Sequence, residues 1–261
     1  MSSAGNLVGF LIIVTAISVF WGRINRIGYS KPITSIVRSV MNYSRMNSEM
    51  IRAYLVWSIY LLVGVIAAVA LLLAYRVSLV HWLALERRYL GVVPLAFIAQ
   101  NSLTGLMMTL VMAARPTMNI SSEITSVPWI KYTLTMPAPV VVLSPLCAAV
   151  VEEVFFRGAV FLILVQQFPE TGVYVPILVC SVLFAVQQVL QTDTLGQGLI
   201  LSIGSISISV VGCIVTLYTG SFLPTLLCHA AYAVFFLHLG TAMRRSDARP
   251  SRSNPGAYTG F

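Results

Sequence analysis

Apolar residues in this chain come in long unbroken runs, with few of the alternations that a half-buried soluble element shows. Seven runs are long enough, with their flanks, to cross a hydrocarbon layer: 6–22, 54–75, 91–114, 137–165, 174–190, 197–217 and 223–241. Such a layer is about 30 Å thick and a helix rises about 1.5 Å per residue. Backbone polar groups in lipid must be satisfied within the segment, which selects helices. The pattern predicts an all-α, polytopic transmembrane helical bundle of about seven to eight membrane segments. One embedded domain is expected over 1–243, followed by a basic, flexible tail over 244–261.

The connections carry finer signals. "ITSIVRSVMNYSRM" mixes apolar residues with Arg38 and Arg45, as an amphipathic helix lying on a membrane does. "LVHWLALERRYL" has an interfacial composition, with Trp82 and Tyr89 beside Arg87 and Arg88. Residues 115–129 read as a polar loop. Pro145 is expected to break or kink the run 137–165, because proline lacks a backbone donor. Gly198, Ser202, Ser205, Ser209 and Gly212 stand at the three- and four-residue spacing that lets helices approach closely.

Composition supports the membrane reading. Of the 261 residues, 58% are hydrophobic and 9% charged, against about 25% charged in soluble domains. The net charge of +8 does not point to nucleic acid, because its distribution is that of membrane flanks. Arg23, Arg26, Lys31, Arg38, Arg45 and Arg52 share one connection, and Arg244, Arg245, Arg249 and Arg252 form the tail. The positive-inside rule then puts the N-terminus outside and the C-terminus in the cytoplasm, with anionic lipids as partners. Arg76, Arg87 and Arg88 run against that count. The run Leu7–Phe20 lacks a positive leader and a small-residue cleavage site, and reads as an uncleaved anchor. Cys147, Cys180, Cys213 and Cys228 lie singly in apolar runs, where cysteine acts as a small hydrophobe. With three histidines and no H-E-x-x-H, neither a metal nor another cofactor is indicated.

One stretch breaks the apolar pattern with charge. "VVEEVFFRGAV", 150–160, places Glu152, Glu153 and Arg157 inside a membrane run. Each such group costs about 2.5–3.5 kcal/mol at mid-helix on the insertion scale, so it must be paired or used. Glu153 and Arg157 are four apart and can meet on one face. Glu152 points about 100° away. One carboxylate is thus expected to pair with the arginine, leaving the other for general-base work on water. The structural alternative is one buried ion-pair network, or the lining of a transport path. A lone His229 on an apolar helix is most simply a packing residue; His238 reads as interfacial, and Gln100 and Asn101 as interhelical hydrogen bonders.

Glu-Glu-x-x-x-Arg-Gly resembles the first motif of the CAAX-protease and bacteriocin-processing (CPBP) family of intramembrane glutamate proteases. "SVLFAVQQ" (181–188) is similar to the second motif, with Phe184 in place, and "GSFLPTLLCHAAYAVF" (220–235) to the third, with His229 in place. The resemblance covers about 135–240. It departs at Gln188, where the family has His, and at Ala233, where it has Asn. Carried onto this chain, the resemblance implies Glu152 as the base and His229 as an oxyanion donor. Glu153, Arg157, Phe184 and Gln188 would be supporting groups. Gln188 can position water but cannot shuttle a proton, and Ala233 can do neither; Tyr232 is a conceivable stand-in donor. The implied activity is cleavage of a membrane-embedded or lipidated protein in a bacterial cytoplasmic membrane. The rival expectation is a catalytically impaired pseudoprotease that serves as a scaffold, chaperone or subunit for a partner membrane protein. A transporter ranks last, because the first half of the chain offers few polar residues at depth.

Overall fold

The computed structural model describes residues 3–44, 46–84, 86–134 and 136–247, with side-chain environments for those within 5–236. The described residues are helical, with no strand. Twelve α-helices are present among them: α1 Ser3–Gly22, α2 Ile24–Ile27, α3 Lys31–Met41, α4 Ser48–Tyr75, α5 Val92–Ala114, α6 Ile120–Ser126, α7 Pro128–Thr133, α8 Ala138–Glu153, α9 Leu162–Gln167, α10 Tyr174–Val189, α11 Leu195–Thr219 and α12 Leu223–Asp247. A π-helical stretch, Val154–Phe161, joins α8 to α9. Among the described residues, four helices are long and apolar enough to cross a membrane: Gly5–Gly22, Ser48–Tyr75, Arg87–Ala114 and Leu195–Thr219.

Local chemistry sets the ends of these helices. Asn47 caps α4 by accepting from Met50 N at 2.8 Å. Thr194 caps α11 by accepting from Gln197 N at 3.1 Å. Each cap satisfies a backbone donor that the first turn leaves free. At the other end of α11, Gly220 takes a left-handed φ of 66° that an L side chain resists.

Consecutive long helices alternate in direction, as the contacts between their ends require. At one end, Asn25 Nδ2 donates to Gln191 Oε1 (2.9 Å), Thr194 Oγ1 to Glu123 Oε2 (2.6 Å), and Tyr29 meets Tyr132. At the other, Phe222 N donates to Trp82 O (3.0 Å) and Tyr89 meets Tyr218. The main core lies between: Phe10, Trp21, Phe155, Phe156, Phe161 and Phe184 are fully enclosed. Helix α11 is the most enclosed of the four long helices, with 67% of its window buried against 11% for Arg87–Ala114. Its small residues account for this, since Gly198, Ser205, Ser209 and Gly212 are all buried.

Two expectations are corrected. Pro145 does not interrupt its helix; α8 runs through it, and the irregularity comes later, at the π-helical stretch. Neighbouring helices let membrane-type helices tolerate an internal proline. The stretch 115–129 is no simple loop. Asn119 caps α6, Pro128 opens α7, and Ile124, Val127 and Ile130 are buried against Ile200 and Leu201. Helix α12 extends to Asp247, four residues into the basic stretch that begins at Arg244. The rest of the expected tail, 248–261, and the side chain of His238 lie outside the described residues. The amphipathic connection is helix α3, which buries Ile33 and Val37 beside Ile51 of α4.

Candidate functional site

Glu152 and Glu153 are the last two residues of α8, immediately before the helix widens into its π-helical stretch. Widened turns of this kind recur at functional sites. Arg157 lies on that stretch, and its Nη1 is 3.1 Å from Glu153 Oε1, with both side chains fully enclosed. The guanidinium also lies over the Phe184 ring, 5.2 Å from its centroid. Room for it comes from Gly212 of α11, where an added Cβ would lie 3.4 Å from Arg157 Nε.

The two carboxylates flank a single imidazole. His229 Nδ1 is 2.8 Å from Glu153 Oε1, while Nε2 is 3.5 Å from Glu152 Oε2. The other oxygen of Glu152 is occupied: Oε1 accepts from the Tyr60 hydroxyl and from Gln188 Nε2 at 2.9 Å. Tyr60 is itself held, since its hydroxyl accepts from Gln187 Nε2 at 2.6 Å and Trp21 Nε1 donates to its carbonyl at 2.9 Å. Helices α4, α8, α10 and α12 therefore meet on one residue, Glu152.

A cavity of about 160 Å³ opens beside this cluster. Its polar end is made by Tyr60, Glu152, Gln188 and His229; Trp57, Trp129, Tyr132, Val140, Leu201 and Phe236 supply aromatic and aliphatic wall. Arg52 and Asn25 line it at the level of the α2–α4 connection. Burial pushes the Tyr132 phenol above its ordinary value, and Asp193 adds to the effect. Among the described residues no group of three or more His, Cys, Asp or Glu is placed to hold a metal ion.

All six residues singled out from the sequence are brought into this one cluster: Glu152, Glu153, Arg157, Phe184, Gln188 and His229. Glu152 is not left free as expected, because three side chains reach it. Ala233 lies on the cavity wall with no donor to offer. Tyr232, the stand-in, lines the same cavity, with its hydroxyl beside Gly204. Asn101 bonds back to Phe97 O within its own helix, and Gln100 Nε2 is buried without a hydrogen-bond partner among the described residues. Sequence reasoning missed Tyr60 and Gln187. The signal for Tyr60 was its place at mid-helix in "SIYLLV", away from the interfacial belt where tyrosine gathers.

No curated protein and no solved structure matches the chain. A family model described as a family of unknown function (DUF5968) matches residues 89–238. That span includes every member of the cluster except Tyr60 and Trp21. The chain belongs to this family of unknown function.

Proposed function

We propose that the protein is an intramembrane hydrolase of the CPBP type. It crosses the membrane seven times and cuts a peptide bond in a membrane-embedded or lipidated protein, with water activated at Glu152. The observation that carries this reading is the unequal use of the Glu152 carboxylate. Oε1 is tied down by Tyr60 and Gln188, whereas Oε2 faces His229 Nε2 at 3.5 Å beside a cavity. A water there has a carboxylate oxygen for its proton and an aromatic-walled space for an apolar substrate. Alternating helix direction supports the seven-span topology. It gathers Arg23, Arg26, Lys31, Arg38 and Arg52, with Arg115 and Lys131, at the end assigned to the cytoplasm. The membrane assigned is a bacterial cytoplasmic membrane, with the N-terminus outside.

The test is hydrolysis by the purified protein in lipid vesicles, using a quenched-fluorescent peptide library that carries an apolar anchor. Cleavage abolished by Glu152→Ala is the expected result. Absence of cleavage across the library, with the protein folded, would sink the proposal.

A second reading, a pseudoprotease acting as scaffold or subunit, is favoured by Ala233 on the cavity wall and by Gln188 as the group on Glu152 Oε1. It expects stable co-purification with a membrane protein and full tolerance of Glu152→Gln.

A further inference from the structure

We infer that His229 is a proton carrier in this site, not an oxyanion donor, and that Glu153 is the positioning residue that fixes it so. The inference rests on the hydrolase reading above. Its basis is the difference between the two ring nitrogens. Nδ1 lies 2.8 Å from Glu153 Oε1, and Arg157 Nη1, 3.1 Å from the same oxygen, is that carboxylate's counter-ion. An ionised carboxylate only accepts hydrogen bonds, so the proton of a neutral ring sits on Nδ1. Nε2 is then bare. It has no hydrogen to give an oxyanion, and it has a lone pair that can take one.

That lone pair faces Glu152 Oε2 at 3.5 Å, which is two acceptors opposed at a distance too long for a good direct hydrogen bond. A water lodged beside both would give one O–H to each, leaving its lone pairs aimed at the cavity. The same orientation logic operates where a buried carboxylate holds an imidazole in the tautomer that accepts a proton. The Tyr60 hydroxyl is committed elsewhere, donating to Oε1 and accepting from Gln187 Nε2, and does not face Oε2. Gln188 is an amide and cannot shuttle a proton, and His229 is the one imidazole among the side chains lining the cavity.

The reaction then balances with one water and no other reagent. The water oxygen bonds to the scissile carbonyl carbon, and the carbonyl π pair moves onto its oxygen. The proton released by the water passes to Glu152 Oε2 and reaches Nε2 by relay through the newly added hydroxyl, which lies beside both, gives its own hydrogen to Nε2 and takes back the one on Oε2. Collapse of the tetrahedral intermediate breaks the C–N bond, and Nε2 gives its proton to the departing nitrogen. An acid and an amine leave, and both side chains return to their starting state.

Ring protonation can be read directly by ¹⁵N NMR on histidine-labelled protein. His81→Gln and His238→Gln together leave His229 as the only labelled ring. The expected spectrum has Nδ1 protonated and Nε2 bare, and Glu153→Gln shifts the tautomer ratio about tenfold or more towards Nε2–H. A ring protonated at Nε2 in the otherwise native site overturns the inference, whether or not the Glu153 variant folds. The second measurement uses His229→Gln, which keeps an amide donor but cannot take up and release a proton. Proton carriage predicts that kcat falls about 10²–10⁴-fold with KM little changed, the usual scale for a lost acid–base group. A fall below tenfold would mean hydrogen-bond donation suffices, and the inference fails. A bare Nε2 in a folded protein that cleaves nothing sinks the hydrolase reading while leaving the tautomer assignment intact.

Discussion

Tyr60 of α4 gives its hydroxyl hydrogen to Glu152 of α8, 92 residues along the chain, and accepts one from Gln187 of α10. One phenol thus ties three helices together at a buried carboxylate. Tyr60→Phe keeps the ring against Trp21, whose centroid is 4.9 Å away, and removes the oxygen alone. Gln187 Nε2 then has no acceptor and Glu152 Oε1 keeps only Gln188. Leaving a buried polar group unsatisfied costs about 1–3 kcal/mol. Thermal unfolding in detergent should record a loss of that size, and an unchanged midpoint would show that the hydroxyl contributes nothing there.

The Glu153–Arg157 pair is fully enclosed, and removing one partner leaves a bare charge in the bundle. Arg157→Met is expected to cost about 3–5 kcal/mol. Glu153→Gln combined with Arg157→Met should recover most of that loss, because no unpaired charge remains. Unfolding midpoints of the single and double variants, compared as a cycle, give the coupling. Equal losses in the single and the double would mean that packing, not charge, holds this point.

Gly212 stands where α11 passes Thr225 and the Arg157 guanidinium. A Cβ there would clash with Thr225 Cγ2 and press on Arg157 Nε at 3.4 Å. Gly212→Ala should therefore destabilise by about 1–3 kcal/mol, as overpacking does. Gly105 on α5 is the control: a Cβ there meets nothing within 4 Å. Gly105→Ala should be neutral or stabilising by up to about 1 kcal/mol, through helix propensity alone. The contrast is measured by the same unfolding assay, and a neutral Gly212→Ala would contradict the close approach.

How much of this was legible in the sequence follows from what sequence periodicity can carry. Each apolar run is helical because continuous hydropathy over about twenty residues leaves few alternatives. Glu152, Glu153 and Arg157 were visible because charge inside such a run demands a partner, and His229 and Phe184 through the resemblance their spacing carries. Tyr60 was hidden because its contact spans 92 residues and tyrosine is ordinary in a membrane helix. Helices α6 and α7 were hidden for another reason. They are seven and six residues long, too short for an apolar period, and are held by an Asn cap, a Pro at N1 and three buried side chains. The direction in which His229 turns each nitrogen depends on the docking of α12 against α8, which no one-dimensional pattern records.

The contact between α6 and the start of α11 offers a last prediction, at Glu123. Its Oε2 accepts from Thr194 Oγ1 at 2.6 Å, and Thr194 caps α11. A carboxylate at a helix N-terminus is favoured by the free N–H groups there. Gly196, in the first turn of α11, makes room for it, since an added Cβ would lie 2.6 Å from Glu123 Oε1. Gly196→Ala should push the carboxylate off and loosen α6 and α7, which pack beside it. Lys131 of α7 is exposed and gives trypsin a place to cut. Cleavage after Lys131 should speed up about fivefold, the factor that about 1 kcal/mol of easier local opening carries. Glu123→Ala should do the same. The double variant should add little to either single change, because both remove one interaction. Additive effects would show that Gly196 and Glu123 act on α11 separately.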